Sequence, residues 1–388
     1  MAKLLGINWQ ICSFTGWGIF GLHLCLRMLK RKLAIPVFFH QPVGDFVPEQ
    51  LELLQQGNNG WINLSKVTQN RPGVVGVVDF PVVHALGNDL LDSGKVMGQV
   101  NDAIIFFEDT NISSHGVERG KRYRQIIAGS SWNGEVLARK GFNNVSVSLQ
   151  GIDETVFFPG EKKGRFKDRF VVFSGGKLEF RKGQDIVIAA FSRFRQKYPD
   201  ALLVTAWANT WQHIIKSIML SQHITTPLEF DAKGYPLYTP WLAAHGIPAD
   251  SFVDLGFIHN YQTGEILREV DVGLFPNRCE GGTNLVAMEA LASGVPCIIA
   301  ANTGQLDLTR NIPCYPLNQQ AKIDPNRPKC GTEDWGESSI DEIVALLEYN
   351  YHNRLETSLV GRRAALAMRS WSHPLQSDKI LSKLLDGN

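Results

Sequence analysis

The chain has 388 residues, of which 44% are hydrophobic and 20% are charged, and its formal net charge at pH 7 is +1. This composition is typical of globular proteins with sizeable cores, and the length favours two or three domains. The balanced charge argues against a protein that wraps nucleic acid.

Six cysteines are spread along the chain without a Cys-x-x-Cys pair or the Cys/His spacing of a zinc site, so we interpret them as reduced thiols. The sequence begins with a predicted strand, KLLGINWQI, and lacks the pattern of a signal peptide. No apolar run reaches the roughly 18 residues that indicate a transmembrane helix. These features predict a cytoplasmic protein with, at most, a peripheral contact at the inner face of the membrane.

Apolar runs alternate with helical patterns along the first part of the chain. The predicted strands include residues 3–11, 34–40, 102–108 and 144–149. The predicted helices are residues 21–33, 48–56 and 130–141, the last with Ser130 as its cap and Gly141 as its stop. Such alternation is typical of a parallel sheet that helices cover on both faces.

A second series of the same kind follows residues 151–168, a turn-rich and charged segment that we interpret as an interdomain linker. Its predicted strands are residues 169–175, 201–207, 251–257, 272–277 and 296–300. We therefore predict an α/β protein of two doubly wound, Rossmann-like domains, at residues 1–160 and 161–370. A final helix, at about residues 371–388, is expected to pack back on the first domain. Ligands of such domains are expected in a deep cleft that the carboxyl ends of the strands face.

One segment of the second domain, FPNRCEGGTNLVAMEALASGVPCII, combines two acids with a glycine turn before a predicted helix. Thr283 fits the cap of that helix, and Gly294 and Pro296 fit its end. Glycines at 281 and 282 let the backbone approach a ligand closely. The N–H groups at the helix N-terminus suit a phosphate.

The two acids, Glu280 and Glu289, suit the hydroxyl groups of the same ligand. A carboxylate accepts two hydrogen bonds at once, and a vicinal diol such as that of ribose supplies two donors. Phosphate at the helix N-terminus, ribose beside Glu289 and a sugar beside Glu280 together describe a nucleotide sugar. The alternative is a pair of solvated acids, and the apolar flanks of Glu289 argue against it.

This segment resembles the acid-pair motif of retaining glycosyltransferases of the GT-B fold, in particular glycosyltransferase family 4. Those enzymes usually have seven residues between the two glutamates, whereas GGTNLVAM puts eight between Glu280 and Glu289 here. The linker QGIDETVFFP, the segment VDLGFIHNYQTGEILREVDVGLFP and the final SWSHPLQSDKILSKLL are similar to further segments of the family. The resemblance covers the linker and almost all of the second domain, and it is weaker over residues 1–100.

The resemblance also assigns basic residues in FSGGKLEFRKGQDIVIAAF to the leaving diphosphate. Lys182 matches the family lysine, and Lys177 matches a position that often carries arginine. Two cations at a strand end would stabilise the charge that develops on the diphosphate. A solvated basic turn is the alternative, and it fits Arg181 better than Lys182. The donor-binding set is completed by Gly281, Gly282, Thr283, Asn284 and Leu285.

In the first domain, TGWGIFG contains a Gly-x-Gly-x-x-Gly pattern that starts with Gly16 and Gly18. A dinucleotide site would need an acid at the end of the second strand, which instead ends FFHQPVG. We therefore interpret the pattern as an acceptor-side loop of a GT-B enzyme, with a tight strand–helix turn as the alternative. The basic end of helix 21–33 suits weak contact with anionic lipid, although a solvated face is favoured.

Glu108, in FFEDTNIS, matches a glutamate of a family subgroup and is predicted to orient or deprotonate the acceptor. Asp109 and His84 are alternatives for that role. For His84 a structural role in the core is favoured.

Taken as a whole, the resemblance implies a retaining hexosyltransferase that moves a sugar from a nucleoside-diphosphate sugar to a glycan or glycolipid, in cell-surface polysaccharide biosynthesis. It implies no metal and no cofactor, since the nucleotide sugar is a substrate. The alternatives are a catalytically silent nucleotide-sugar-binding protein, another GT-B enzyme such as a sugar-nucleotide epimerase or a phosphorylase, and a disfavoured nicotinamide oxidoreductase. The sequence leaves open the base, the sugar, the acceptor, the linkage and the oligomeric state.

Overall fold

The computed structural model describes residues 3–68 and 74–385. The chain divides into two compact units, one formed by residues 1–151 and 371–388 and the other by residues 152–370. The last three residues of the predicted final helix, 386–388, lie outside the described residues.

The first unit is built on a parallel six-stranded sheet with the strand order β2-β1-β4-β6-β7-β8. The strands of this unit are β1 Leu4–Asn8, β2 Ile35–Phe38, β3 Gly76–Val77, β4 Val82–Leu86, β5 Val96–Met97, β6 Asn101–Ile105, β7 Ile126–Ala128 and β8 Val145–Val147. Its helices up to the linker are α1 Gly16–Lys30, α2 Pro48–Leu54, α3 Gly60–Thr68, α4 Ser114–Gly120 and α5 Ser131–Arg139. Strands β3 and β5 form a separate parallel pair. The predicted alternation of strands and helices is confirmed.

Helix α1 begins at Gly16 rather than at residue 21, so the glycine pattern TGWGIFG is the start of a helix and not an open loop. Thr15 is the cap, and its hydroxyl accepts a hydrogen bond from the Gly18 amide at 3.1 Å. A Cβ on Gly18 would collide with Cys12, and a Cβ on Gly21 would lie 2.5 Å from Cδ1 of Ile11. These glycines therefore let α1 pack closely on the segment that follows β1, and the assignment of Gly16 and Gly18 to the acceptor side stays a prediction.

The second unit contains another parallel six-stranded sheet, with the strand order β11-β10-β9-β12-β13-β14. Its strands are β9 Phe170–Gly175, β10 Ala201–Ala206, β11 Phe252–Asp254, β12 Val272–Phe275, β13 Cys297–Ala300, β14 Tyr315–Leu317, β15 Gln320–Lys322 and β16 Gly336–Ser338. Its helices are α6 Gln184–Lys197, α7 Gln212–Ile215, α8 Tyr238–Ala244, α9 Asn260–Leu267, α10 Leu285–Ala292, α11 Gln305–Asn311, α12 Ile340–His352 and α13 Arg354–Met368. Strands β15 and β16 form an antiparallel pair.

The central strands of the second sheet are buried along their whole length, which is why they appear in the sequence as continuous apolar runs. The chain leaves β9 toward one edge of this sheet and returns to β12 on the other side of β9. The strand order therefore reverses between β9 and β12, and the segments that follow these two strands meet at the topological switch point of a doubly wound sheet.

Helix α14 His373–Leu385 belongs to the first unit, where Ile380, Leu381 and Leu384 join the apolar core that also contains α1. Asp378 of α14 accepts hydrogen bonds from Arg27 Nε at 2.8 Å and forms an ion pair with Arg31 at 3.0 Å. Arg27, near the end of α1, and Arg31, which follows it, thus stabilise the contact between the two helices. In the described ranges, no helix combines the length and the apolar character needed to cross a bilayer.

Candidate functional site

The acid motif lies at the carboxyl end of β12, in residues 276–284, before helix α10. The neighbouring strand β9 ends at Gly175 and leads into the 3-10 turn Phe180–Lys182. Because parallel strands end at the same edge of a sheet, the fold brings the basic turn and the acid motif together at the switch point. The candidate site is assembled from these two segments.

Glu280 is a buried residue whose carboxylate three side chains of the site contact directly. Its Oε1 atom accepts a hydrogen bond from Lys182 Nζ at 2.6 Å and another from Asn277. Its Oε2 atom accepts one from Arg181 Nη1 at 3.1 Å. A buried charge is stable only when it is paired in this way.

Burial alone would raise the pKa of Glu280, but the charges of Lys182 and Arg181 outweigh it and hold that pKa below its ordinary value. Glu280 is therefore ionised at neutral pH and can only accept hydrogen bonds. Such a group is suited to holding the hydroxyl groups of a ligand and is unsuited to donating a proton.

Arg181 is the cation that the sequence interpretation missed, because it was assigned to a solvated turn. Its side chain is only 16% exposed, and it donates to the Cys279 carbonyl at 2.9 Å and to Glu179 at 2.6 Å as well as to Glu280. Lys177, the predicted second cation, instead directs its ammonium group at the ring of Trp211, 4.3 Å from the ring centroid. In the part of the chain that the structure describes, Arg181 and Lys182 both contact the buried acid directly.

The cap of α10 is Asn284 and not Thr283, which corrects the prediction. Asn284 has a φ of 61°, and its side chain accepts a hydrogen bond from the Ala287 amide at 3.3 Å. Asparagine tolerates this left-handed conformation better than a β-branched residue such as threonine. The Thr283 hydroxyl instead donates to Met288 Sδ at 2.9 Å. Leu285 is the first residue of α10, and the N–H groups of this first turn have no acceptor within the helix.

A second loop, which contains Thr303 and Gly304, holds the glycine turn at residues 281 and 282 in place. Glu280 N donates to Thr303 Oγ1 at 3.0 Å, and Gly304 N donates to the Glu280 carbonyl at 3.0 Å. A Cβ on Gly304 would lie 2.7 Å from that carbonyl oxygen and closer still to the carbonyl of Gly282. Gly281 and Gly282 are both buried, so the turn is packed inside the unit. The sequence interpretation did not identify this supporting loop.

Glu289 lies inside α10 and is 6% exposed, as its apolar flanks predict. Its Oε1 atom accepts a hydrogen bond from Asn260 of α9 at 2.9 Å. Burial raises the pKa of Glu289 to about 8, Asn260 opposes this shift, and the charge of Asp153 adds to it. Glu289 is therefore largely protonated at neutral pH, in contrast to Glu280.

Beneath the site, Arg278 forms a fully buried ion pair that the sequence did not predict. Its Nη1 and Nη2 atoms donate to the two oxygens of Asp185 at 2.7 and 2.6 Å, and its Nε donates to Glu337 at 3.1 Å. Nη1 also donates to the carbonyl of Phe180, in the turn that carries Lys182, at 2.7 Å. Arg278 thereby fixes the acid motif and the basic turn relative to each other.

The predicted acceptor-side residues lie in the first unit. Glu108 and Asp109 follow β6, and both of their amides donate to Asn88 Oδ1, at 3.0 and 3.2 Å. This contact fixes the backbone, so the assignment of Glu108 to the acceptor remains a prediction. Gly16 and Gly18 belong to the first turn of α1.

His84 is completely buried, which favours the structural interpretation over a role with the acceptor. Its Nε2 atom lies 2.9 Å from Asn101 Oδ1. Its Nδ1 atom lies 2.9 Å from Asn8 and 3.1 Å from Asp92. The ring therefore links β4 to its two neighbouring strands.

Comparison with protein-family models gives no match, and comparison with curated proteins gives none either. Among solved structures, the chain is similar to HepE from Anabaena in complex with UDP and glucose, with a TM-score of 0.64, 14% identity and 99% of each chain covered. It is similar to sucrose-phosphate synthase from Thermosynechococcus elongatus, with a TM-score of 0.67, 13% identity and 100% of each chain covered. It is also similar to an α,α-trehalose-phosphate synthase (UDP-forming) from Burkholderia vietnamiensis, with a TM-score of 0.64, 10% identity and 100% of each chain covered. These likenesses extend over the whole chain, and they show that it has the GT-B fold of two Rossmann-like domains.

Proposed function

We propose that the protein is a glycosyltransferase that uses a nucleoside-diphosphate sugar as donor and a glycan or glycolipid as acceptor. One observation carries the proposal. An ionised, buried glutamate, Glu280, is paired with Lys182 and Arg181 at the switch point of a doubly wound sheet, next to a glycine turn and a helix N-terminus. This combination offers acceptors for hydroxyl groups beside donors and positive charge for phosphates.

The proposed donor site divides into three parts. The diphosphate is held by Lys182, with Lys177 nearby in sequence, and by the backbone N–H groups of residues 281–285 at the start of α10. The transferred sugar is held by Glu280. The ribose is held by Glu289 of the same helix, whose buried carboxyl group, when protonated, donates one hydrogen bond to the diol and accepts another.

The solved structures with the same fold suggest which donors to test first. HepE has been solved with UDP and with UDP-glucose, and the trehalose-phosphate synthase is described as UDP-forming. As part of the proposal, we extend the use of a UDP-sugar to this chain, so UDP-sugars are the first donors to test.

The proposed reaction retains the configuration of the sugar and belongs to the family 4 type. The bond between the anomeric carbon and the diphosphate breaks, and a bond from that carbon to an acceptor hydroxyl forms on the same face. The leaving diphosphate takes the proton of that hydroxyl, and Lys182 stabilises the charge on the diphosphate. Lysine, arginine and the helix N-terminus supply positive charge, so we propose that the reaction needs no metal. Glu108 is proposed to orient the acceptor. We place the reaction in cell-surface polysaccharide biosynthesis and the protein in the cytoplasm.

The test is a panel of UDP, GDP, ADP, dTDP and CDP sugars, with and without EDTA, in which the melting temperature and nucleotide release are measured. We expect one nucleotide class to raise the melting temperature and to be hydrolysed slowly, with no effect of EDTA. Glu280→Gln and Lys182→Ala should lose nucleotide release, whereas Glu265→Gln, at an exposed position of α9, should not. If no nucleotide sugar binds, the proposal is wrong. Binding without turnover, with every glycan acceptor tried, would instead indicate a silent binding protein.

A further inference from the structure

The second unit contains a cavity of about 730 Å³ that the proposed reaction does not use. Its walls come from residues 159–162, from the segments before β12 and β13, and from one face of α13. A volume of this size is typical of sites for small molecules. We call it the basic cavity.

The basic cavity is separate from the candidate donor site. Its lining includes Phe170, the first residue of β9, Asp271, which precedes β12, and Pro296, which precedes β13. It therefore lies at the amino ends of these parallel strands. Glu280 and Lys182 follow the carboxyl ends of β12 and β9, at the opposite edge of the same sheet.

Five cations line the basic cavity against two acids. The cations are Lys162, Arg268, Arg354, Arg362 and Arg369, and the acids are Glu161 and Asp271. Arg354 and Arg362 lie on α13 and Arg369 lies in the turn after it, at spacings that place them on one side of the helix. Like charges gathered on one concave face repel each other, and an anion between them would relieve this repulsion.

The existing partners neutralise only part of this charge. Lys162 pairs with Asp271 at 2.6 Å, and Arg354 lies 3.6 Å from Asp200. Arg268 stacks its guanidinium group on Phe158, 4.6 Å from the ring centroid. Along residues 3–68 and 74–385, no carboxylate forms an ion pair with Arg362 or Arg369, so both guanidinium groups remain able to bind a ligand.

A second observation comes from Asn350, a fully buried residue of α12 that lines the basic cavity. Its Nδ2 atom donates to the Leu346 carbonyl at 2.8 Å. Its Oδ1 atom has no hydrogen-bond partner among the described residues. A buried acceptor without a donor is costly, and a hydroxyl group of a ligand would supply the missing donor.

We propose that the basic cavity binds a phosphate monoester of a polyhydroxylated small molecule. Guanidinium groups form two parallel hydrogen bonds to phosphate oxygens, which suits Arg362 and Arg369. A hydroxyl of the same ligand serves Asn350. The inference goes beyond the proposed transferase reaction and does not depend on it.

The test is calorimetric titration with sorbitol 6-phosphate at constant ionic strength, with inorganic phosphate and sorbitol as comparison ligands. Sorbitol 6-phosphate lacks the ring and the diphosphate of a nucleotide sugar. The key variant is Arg362→Ala/Arg369→Ala, and the matched control is Arg363→Ala, an exposed neighbour on α13 outside the cavity lining. Lys182→Ala reports on the candidate donor site. The unfolding midpoint of each variant is measured in parallel.

We expect wild type to bind sorbitol 6-phosphate at one site and the double variant to bind it at least about tenfold more weakly, since two charged contacts are lost. Arg363→Ala and Lys182→Ala should keep the wild-type affinity. Equal binding by the double variant, loss of binding in Lys182→Ala, or no binding by wild type would overturn the proposal. Inorganic phosphate that binds as tightly as sorbitol 6-phosphate would overturn the proposed class of ligand.

Discussion

Lys182 Nζ lies 2.6 Å from Glu280 Oε1, although the two side chains are only 14% and 7% exposed. The pair is buried at the junction of two segments that are far apart in sequence. Removal of one partner leaves the other charge without its main compensation.

The first prediction follows from this pair. Lys182→Met should lower the free energy of unfolding by about 1–3 kcal/mol, less than a fully broken buried pair because Arg181 still contacts Glu280. Glu280→Gln in the Lys182→Met background should recover part of this loss. Urea unfolding of the single and double variants measures both effects.

The matched control is Lys197→Met, which removes an ion pair with Glu348 of similar length, 2.9 Å, at the surface of the same unit. Because exposed pairs contribute little, its effect should be small. An equal loss in the two lysine variants would contradict the role assigned to burial.

The second prediction concerns pH. The pKa of Glu289 in the folded protein is about 8, above the ordinary value of 4.5, so the folded state binds more protons than the unfolded chain between these values. Stability must therefore fall as pH rises through this window and level off above it. Glu289→Gln, which stays neutral, should remove this part of the pH dependence.

Urea unfolding at a series of pH values from about 5 to 9 checks the second prediction. Glu265→Gln, which changes an exposed acid of the same unit, is the control and should keep the wild-type slope. An unchanged slope in Glu289→Gln would show that Glu289 titrates normally.

The third prediction concerns the cap of α10. Asn284→Val should destabilise the second unit by about 2–4 kcal/mol, since it loses the cap and places a β-branched residue at positive φ. Asn284→Gly should cost less because glycine adopts this conformation freely. Thr283→Val should lower the stability of the second unit only slightly. Thermal unfolding that showed Thr283→Val to be the more harmful substitution would restore Thr283 as the cap.

The fourth prediction concerns Arg278. Arg278→Met leaves the fully buried Asp185 without its cation and removes one partner of the partly buried Glu337, so it should cost about 3–5 kcal/mol. Arg278→Lys keeps the charge but loses the two parallel hydrogen bonds to Asp185. This variant should therefore still fold, but it should release nucleotide more slowly than wild type. If Arg278→Lys matched wild type in nucleotide release, Arg278 would have no positioning role. Arg193→Lys, at an exposed position of α6, is the control.

The fifth prediction concerns Gly304, whose neighbourhood has no room for a side chain. Gly304→Ala should displace the loop that carries Glu280 and lower both the melting temperature and nucleotide release. Gly87→Ala is the control, because a Cβ there would contact nothing within 4 Å. Wild-type nucleotide release by Gly304→Ala would mean that the loop adjusts without loss.

The sequence predicted the two parallel sheets because buried strands and amphipathic helices leave clear periodic patterns. Through resemblance to family motifs, it also predicted that Glu280 and Lys182 belong to the same donor site. It could not predict the cap at Asn284, whose side chain also donates to Gln305, 21 residues away, at 3.0 Å, because such contacts depend on the tertiary structure. It placed the start of α1 at residue 21 rather than at Gly16, because no local pattern shows that the close packing of α1 on Cys12 and Ile11 requires glycines at 18 and 21.

The contacts of Arg181 and Arg278 could not be predicted from the sequence either. Arg181 and Lys182 are adjacent, and only the geometry of the 3-10 turn directs both at Glu280. Arg278 pairs with Asp185, which is 93 residues away in the chain, and no local pattern predicts such a contact. The pairing of buried charges depends on the complete tertiary structure.

The distance in sequence between Lys182 and Glu280, 98 residues, has a consequence for the folding of the second unit. The first residue follows β9 and the second follows β12, so the site does not exist until both halves of the sheet have joined. A molecule that binds there binds only the completed unit and stabilises it by mass action. Binding at the site would therefore require the whole second sheet to be assembled. A truncated or partly folded chain would not bind the ligand.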